Sequence, residues 1–179
     1  YSKENIKLFK EKNIDNITLF GIGYQKELAR LEKGKIKDVD ILFYGSINER
    51  RKKILEELKS KGLIVKTLFG VFGNERDQWI ERSKVVLNHH YYDSQIFEIV
   101  RVFFLLTNSI PVVGELNKET IIDDMFRKGI HASEYDGLVA SCLELVENTS
   151  LREKIAENAF ETISKFPQKA FTLSAIEGY

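Results

Sequence analysis

The chain has 179 residues, 43% of them hydrophobic and 30% charged, enough for one domain with a real core and a tight fit for two. Lysine plus arginine equals aspartate plus glutamate at 27 each, so the formal net charge is zero and no global attraction to nucleic acid is expected. One cysteine, Cys142, excludes an internal disulfide framework, and no apolar run reaches the roughly 18 residues that cross a bilayer. With no secretory signal pattern either, the expectation is a cytoplasmic protein without an integral membrane segment.

Residues 1 to 37 read as a lead-in or linker, or as the end of an N-terminal half that is missing. Ile17-Thr18-Leu19-Phe20 has the composition of a strand, Gly21-Ile22-Gly23 turns the chain, and a short helical piece is expected near Gln25 to Leu31. Gly21 and Gly23 form half of a G-x-G-x-x-G pattern, but position 26 is Lys, so the pair is assigned to a turn and not to phosphate. The polar run Glu32 to Lys37 reads as a linker.

From Asp38 the pattern is regular. Val39 to Tyr44 (VDILFY) reads as a buried strand, followed by the turn Gly45-Ser46-Ile47-Asn48 and a helix that stops near Lys61-Gly62. Leu63 to Phe69 is the next strand, Gly70 to Gly73 a turn, and Asn74 to Ser83 a helix. Val85-Val86-Leu87 and Ile110-Pro111-Val112-Val113 are short β-branched runs bounded by turn formers, hence strands, and between them a helix is expected from Ser94 to Asn108. Glu119 to Lys128 reads as a short amphipathic helix and Gly129 to Ala132 as a loop. Two further helices are expected to open at Ser133, with Asp136 approximating a capping box, and at Ser150, where Glu153 completes S-x-x-E. Pro167 ends the last, leaving 168 to 179 as a tail. Alternation of strand and helix with long crossovers predicts an α/β fold, a Rossmann-like parallel sheet with helices on both faces, over residues 38 to 167.

The chemistry points to the carboxyl ends of the strands, where an open parallel sheet binds ligands and helix N-termini offer free N–H groups. Glu98 and Arg101, three apart on a helix apolar on almost every side, should share a face; they suit either a site or a buried ion pair. After the first strand, Gly45 allows close backbone approach, and Arg50 or Arg51 has the planar fork suited to phosphate. No metal site is expected: His89 and His90 are adjacent and point to opposite sides of an extended chain, and neither H-x-x-x-H nor C-x-x-C occurs. G-x-S-x-G is absent as well.

The order DVDILFYGSINERR, LFGVFGNERD, SKVVLNHHYYDSQIFEIVRVFFLLTNSIPVVGE and YDGLVASCLELVENTSLREKIAENA resembles the C-terminal, donor-binding half of GT-B glycosyltransferases of the family-1 and family-4 type, over about Asp38 to Phe166. The resemblance implies a single GT-B half-domain that binds a nucleotide-diphosphate sugar, with no other cofactor, for hexosyl transfer to an acceptor that is a glycan, lipid or protein. It implies that Gly45, Ser46 and Arg50 or Arg51 face the diphosphate. Phe69 and Gly70 open the turn beside the base; Ser94, Gln95, Ile96 and Phe97 present N–H groups to the phosphates, and Glu98 accepts from the ribose hydroxyls. Many retaining members carry two glutamates separated by seven residues; here Leu106 stands eight after Glu98 and His90 eight before, so only one of the pair is present, with Glu115 as a supporting acid. No catalytic residue is assigned. The competing expectation is a non-catalytic α/β interaction module in which Tyr91 and Tyr92 contact a partner.

Overall fold

The computed structural model describes residues 3–92, 97–118, 120 and 122–177. Helix α1 (Lys3–Glu11) precedes an irregular stretch that includes one 3-10 turn, Lys26–Leu28. Then follow β1 (Val39–Tyr44), α2 (Glu49–Ser60), β2 (Val65–Leu68), α3 (Gly73–Glu81), β3 (Ser83–Asn88), α4 (Ile99–Thr107), β4 (Val112–Glu115), α5 (Asp124–Arg127) and β5 (His131–Ser133). A 3-10 turn, Tyr135–Gly137, leads into α6 (Leu138–Glu147), and α7 (Thr149–Ile163) and α8 (Gln168–Glu177) complete the chain.

The five strands form one parallel sheet in the order β2-β1-β3-β4-β5. Strands buried on both faces carry apolar residues at successive positions, and the two core clusters show it. Ile41, Phe43, Val85, Leu87 and Val113 pack with Ile54, Leu55 and Leu58 of α2 and Leu138, Cys142 and Leu145 of α6. Leu42, Val86 and Val112 face the other way, toward Ile80 of α3, Val102, Leu105 and Leu106 of α4, Phe126 of α5 and Ala159 and Ile163 of α7. The Rossmann-like α/β fold, with helices on both faces, is therefore the one the alternation predicts. Among the described residues no helix is long and apolar enough to cross a membrane.

Several local expectations need correction. Residues 17 to 20 form no strand; the lead-in instead packs along the domain. Backbone N–H groups of Arg30 and Leu31 donate to Oδ1 of Asn108 at 2.9 and 3.0 Å, and the Arg30 guanidinium reaches the buried carboxylate of Asp77. Gly21 and Gly23 have a steric reason: a Cβ on either would stand 2.3 Å from an atom of Phe171 or from the Phe166 carbonyl oxygen. The supposed loop at 129–132 contains the start of β5, which pairs Val113 with His131 and Glu115 with Ser133. The helix after Ser133 is not capped by it: Ser133 Oγ donates to Glu134 O, a 3-10 turn intervenes, and α6 starts at Leu138. Helix α7 begins at Thr149, not Ser150, because Asn148 is its N-cap and accepts from the Leu151 N–H at 2.9 Å. The amphipathic piece expected over 119–128 is helical only from Asp124, with Glu119 and Ile121 outside the described residues, and the tail contains α8.

Candidate ligand site at the switch point of the sheet

In the order 2-1-3-4-5 the strand order reverses between β1 and β3, the position at which an open parallel sheet leaves a crevice at the carboxyl ends of its strands. Gly45 ends one side, with φ +134°, a region that favours glycine. Asn88, His89 and His90, all fully buried, end the other.

Helix α2 starts beside the crevice because Asn48 caps it: its Oδ1 accepts from the Arg51 N–H at 3.0 Å, while its Nδ2 donates to Tyr91 O at 2.6 Å, tying the two loops together. This start throws Arg50 and Arg51 inward. Arg51 is buried; its Nε and Nη2 donate to His89 O at 3.2 and 2.6 Å and its Nη1 to Ser46 O at 2.8 Å. Burial, then the charge of Arg101, lowers its pKa from the usual arginine value. Arg50 grips the buried Glu115 with both Nη atoms, one at 2.8 Å, and donates to His90 O at 3.1 Å; its guanidinium lies 4.0 Å over the Tyr135 ring. Glu115 also accepts from the His90 N–H at 2.8 Å, and Tyr135 Oη donates to Arg50 O at 2.9 Å. Beside this pair is a hollow of about 580 Å³ lined by Arg50, Glu115, Asn117, Lys118, Glu134 and Tyr135, among others.

Glu98 hangs over the crevice. The expected helix from Ser94 does not include it: residues 94–96 lie outside the described residues, and Phe97 and Glu98 precede α4. Glu98 (φ −79°, ψ 63°) is the centre of an inverse γ-turn in which the Ile99 N–H donates to Phe97 O at 2.9 Å. The expected Glu98–Arg101 pairing is replaced by a relay. Asn88 Nδ2 donates to Glu98 Oε2 at 3.1 Å, and Asn88 Oδ1 accepts from Arg101 Nη1 at 3.0 Å. Oε2 also lies 3.2 Å from Nδ1 of His90, without hydrogen-bond alignment, and Oε1 is 3.5 Å from Nη2 of Arg51. Burial alone would raise the pKa of Glu98, but His90, Arg101 and Asn88 together hold it below the usual glutamate value. The carboxylate is 26% exposed and so open on one side.

Arg101 lies with its Nη2 3.0 Å from where a Cβ on residue 45 would be, and its guanidinium stands 4.9 Å from the centre of the Tyr44 ring. Burial pushes the Tyr44 phenol up to about 12, so it is neutral there. His89 packs edge-on to Phe43 with both ring nitrogens unpartnered among the described residues, and burial, with Arg51 and Arg50 nearby, lowers its pKa to about 3.

Of the expected ligand residues, Gly45, Ser46, Arg50, Arg51 and Glu98 thus come together at the switch point. Phe69 and Gly70 sit in the β2–α3 turn on the flank of β1, Phe69 at 75% exposure and Gly70 with φ +69°; the Leu68 carbonyl accepts from Gly45 N–H at 2.9 Å. The Phe97 ring is packed against Phe126 in the core and does not face the crevice. Ser94, Gln95 and Ile96 lie outside the described residues. The expectations lacked Asn88 as the bridge, Asn48 as the cap and Tyr135 as the platform. A polar residue closing an otherwise apolar strand (KVVLN) was a signal for Asn88; nothing local marks Tyr135.

The fold is a Rossmann-like α/β unit, and arginines and carboxylates gather at its switch point as a candidate site. No family model matches the chain. Among curated proteins it is similar to uncharacterized proteins of Acanthamoeba polyphaga mimivirus. One is 33% identical over 174 residues, covering 92% of this chain and 23% of that protein; another is 30% identical over 172 residues, covering 91% and 54%. The chain therefore spans about a quarter to a half of these relatives. Among solved structures it is similar to S. aureus TarM, in a mutant crystallised with fondaparinux, alpha-GlcNAc-glycerol and UDP. The TM-score is 0.65 at 12% identity, over 98% of this chain and 42% of that one, a likeness of fold.

Proposed function

We propose that residues 38 to 167 are the donor-binding domain of a glycosyltransferase, taking a nucleotide-diphosphate sugar, with the acceptor, a glycan, lipid or protein, held by another part of a longer protein. The observation that carries this is the Glu98 carboxylate, held by Asn88 at the end of β3 and open to solvent on one side: an ionised acceptor suited to paired ribose hydroxyls. The hollow beside Arg50 and Glu115, rich in polar groups and floored by an aromatic ring, suits a sugar. The fold likeness to a protein crystallised with UDP supports the same reading. In this reading the charge that develops on the departing diphosphate is met by fixed N–H dipoles and a guanidinium, without a metal.

The test is a thermal-shift series with UDP, GDP, ADP and TDP, with their sugars and with EDTA present. One nucleotide should raise the melting temperature selectively, because a ligand at a hundred times its Kd adds about 2.7 kcal/mol to the folded state. Glu98→Gln, which keeps the shape and removes the charge, should weaken that nucleotide about tenfold. A flat response to all four sinks the proposal. It would favour a non-catalytic interaction module, for which the exposed Tyr92, edge-on to Tyr91 at 4.7 Å, is the supporting observation.

A further inference from the structure

Three guanidinium groups converge on the crevice, and they are not equivalent. Moving Arg50 would leave a buried carboxylate, Glu115, with the His90 N–H but without its cationic partner. Moving Arg51 would orphan the carbonyls of His89 and Ser46, and a buried acceptor without a donor costs roughly 1–3 kcal/mol. Both are parts of the wall. Arg101 is different: it is half-buried, and among the described residues its one hydrogen bond is from Nη1 to Asn88 Oδ1, which leaves Nη2 and Nε without an acceptor. Its Nη2 stands 3.0 Å from where a Cβ on residue 45 would be, tighter than an ordinary contact, so the glycine is what lets the guanidinium lie against the end of β1.

We propose that Arg101 is the residue that binds the diphosphate of the donor, presenting its Nε and Nη2 across Gly45, while Arg50 and Arg51 hold the surrounding loops. This rests on the nucleotide-sugar reading and changes which arginine meets the ligand. Two phosphate oxygens match the spacing of a guanidinium fork. The Asn88 amide holds Arg101 by its oxygen and Glu98 by its nitrogen, so the cation for the diphosphate and the acceptor for the hydroxyls stand at a fixed separation. The like charges of Arg51 and Arg101 repel each other across the crevice, and an anion between them relieves that repulsion.

The experiment is calorimetric titration of the full chain with UDP, GDP, ADP and TDP, then with the nucleoside of the tightest binder. Arg101→Gln should weaken the diphosphate about ten- to hundredfold and leave the nucleoside unchanged. Arg101→Lys keeps the stem over Tyr44 and the charge but lacks the fork, so it should lose several-fold, and it decides the matter where Arg101→Gln does not fold. Undiminished diphosphate binding in either folded variant overturns the assignment of Arg101 while leaving the nucleotide reading standing. Equal losses for nucleoside and diphosphate overturn it as well, since that marks general damage to the crevice. No binding of any nucleoside diphosphate to the unaltered chain overturns both.

Discussion

His89 is the side chain whose environment has the plainest consequence for stability. An unfolded chain holds its imidazole near pKa 6.5, whereas the folded domain, by burial and by the nearby Arg51 and Arg50, holds it at about 3. As pH falls below 6.5 the unfolded state takes up the proton first. The stabilisation is fully present above pH 6.5 and declines toward pH 3, by up to about 1.4 kcal/mol per pH unit from this group. Urea denaturation of the chain at pH 7 and at pH 5 should show that loss. In His89→Phe, which keeps a ring against Phe43 and removes two unpartnered nitrogens, the loss should be smaller by that amount, with stability at pH 7 equal or higher. Equal pH dependence in both proteins would show that His89 titrates normally.

At the scale of elements, the caps decide where helices begin. Asn148→Ala should cost about 1 kcal/mol by thermal or urea denaturation, and Ser150→Ala no more than a few tenths, since Asn148 and not Ser150 accepts from the first turn of α7. The contrast marks the limit of what was legible. Val39–Tyr44 could be read to the residue, because a strand covered on both faces carries a continuous apolar run, here Ile41, Leu42 and Phe43. His-Ala-Ser could not be read as β5: three residues without a β-branched side chain form a strand only because β4 is there to pair with. The position of Glu98 next to α4 was legible, but its place in a γ-turn with the carboxylate held by Asn88, the last residue of β3, was not, since that contact joins separate elements. The turn Gly45–Arg51 and Glu98 were read from local pattern. Tyr135 and Glu115, which arrive from 85 and 65 residues away to hold Arg50, have roles that only the folded chain brings out.

At the scale of the molecule, the lead-in divides into two parts of different weight. Helix α1 leaves Leu8 and Phe9 about half exposed, so deletion of residues 1–16 should change the unfolding free energy by no more than about 0.5 kcal/mol. Deletion of residues 1–37 also removes the partners of Asn108, Asp77 and Glu81, all buried, and should cost several kcal/mol; comparable melting curves for the two truncations would refute this. The same segment closes onto the far end of the chain. Tyr24 N–H donates to Phe166 O at 2.7 Å, Gln168 N–H returns to Tyr24 O at 2.8 Å, and the Gln168 side chain spans Gly21 O and Gly23 N–H. This clasp is parallel, so tension applied along the polypeptide from its two ends loads its bonds together in shear instead of peeling them one at a time. The sheet behind it is thereby shielded: a pull transmitted through neighbouring segments reaches β1 and the switch point only after the clasp has ruptured.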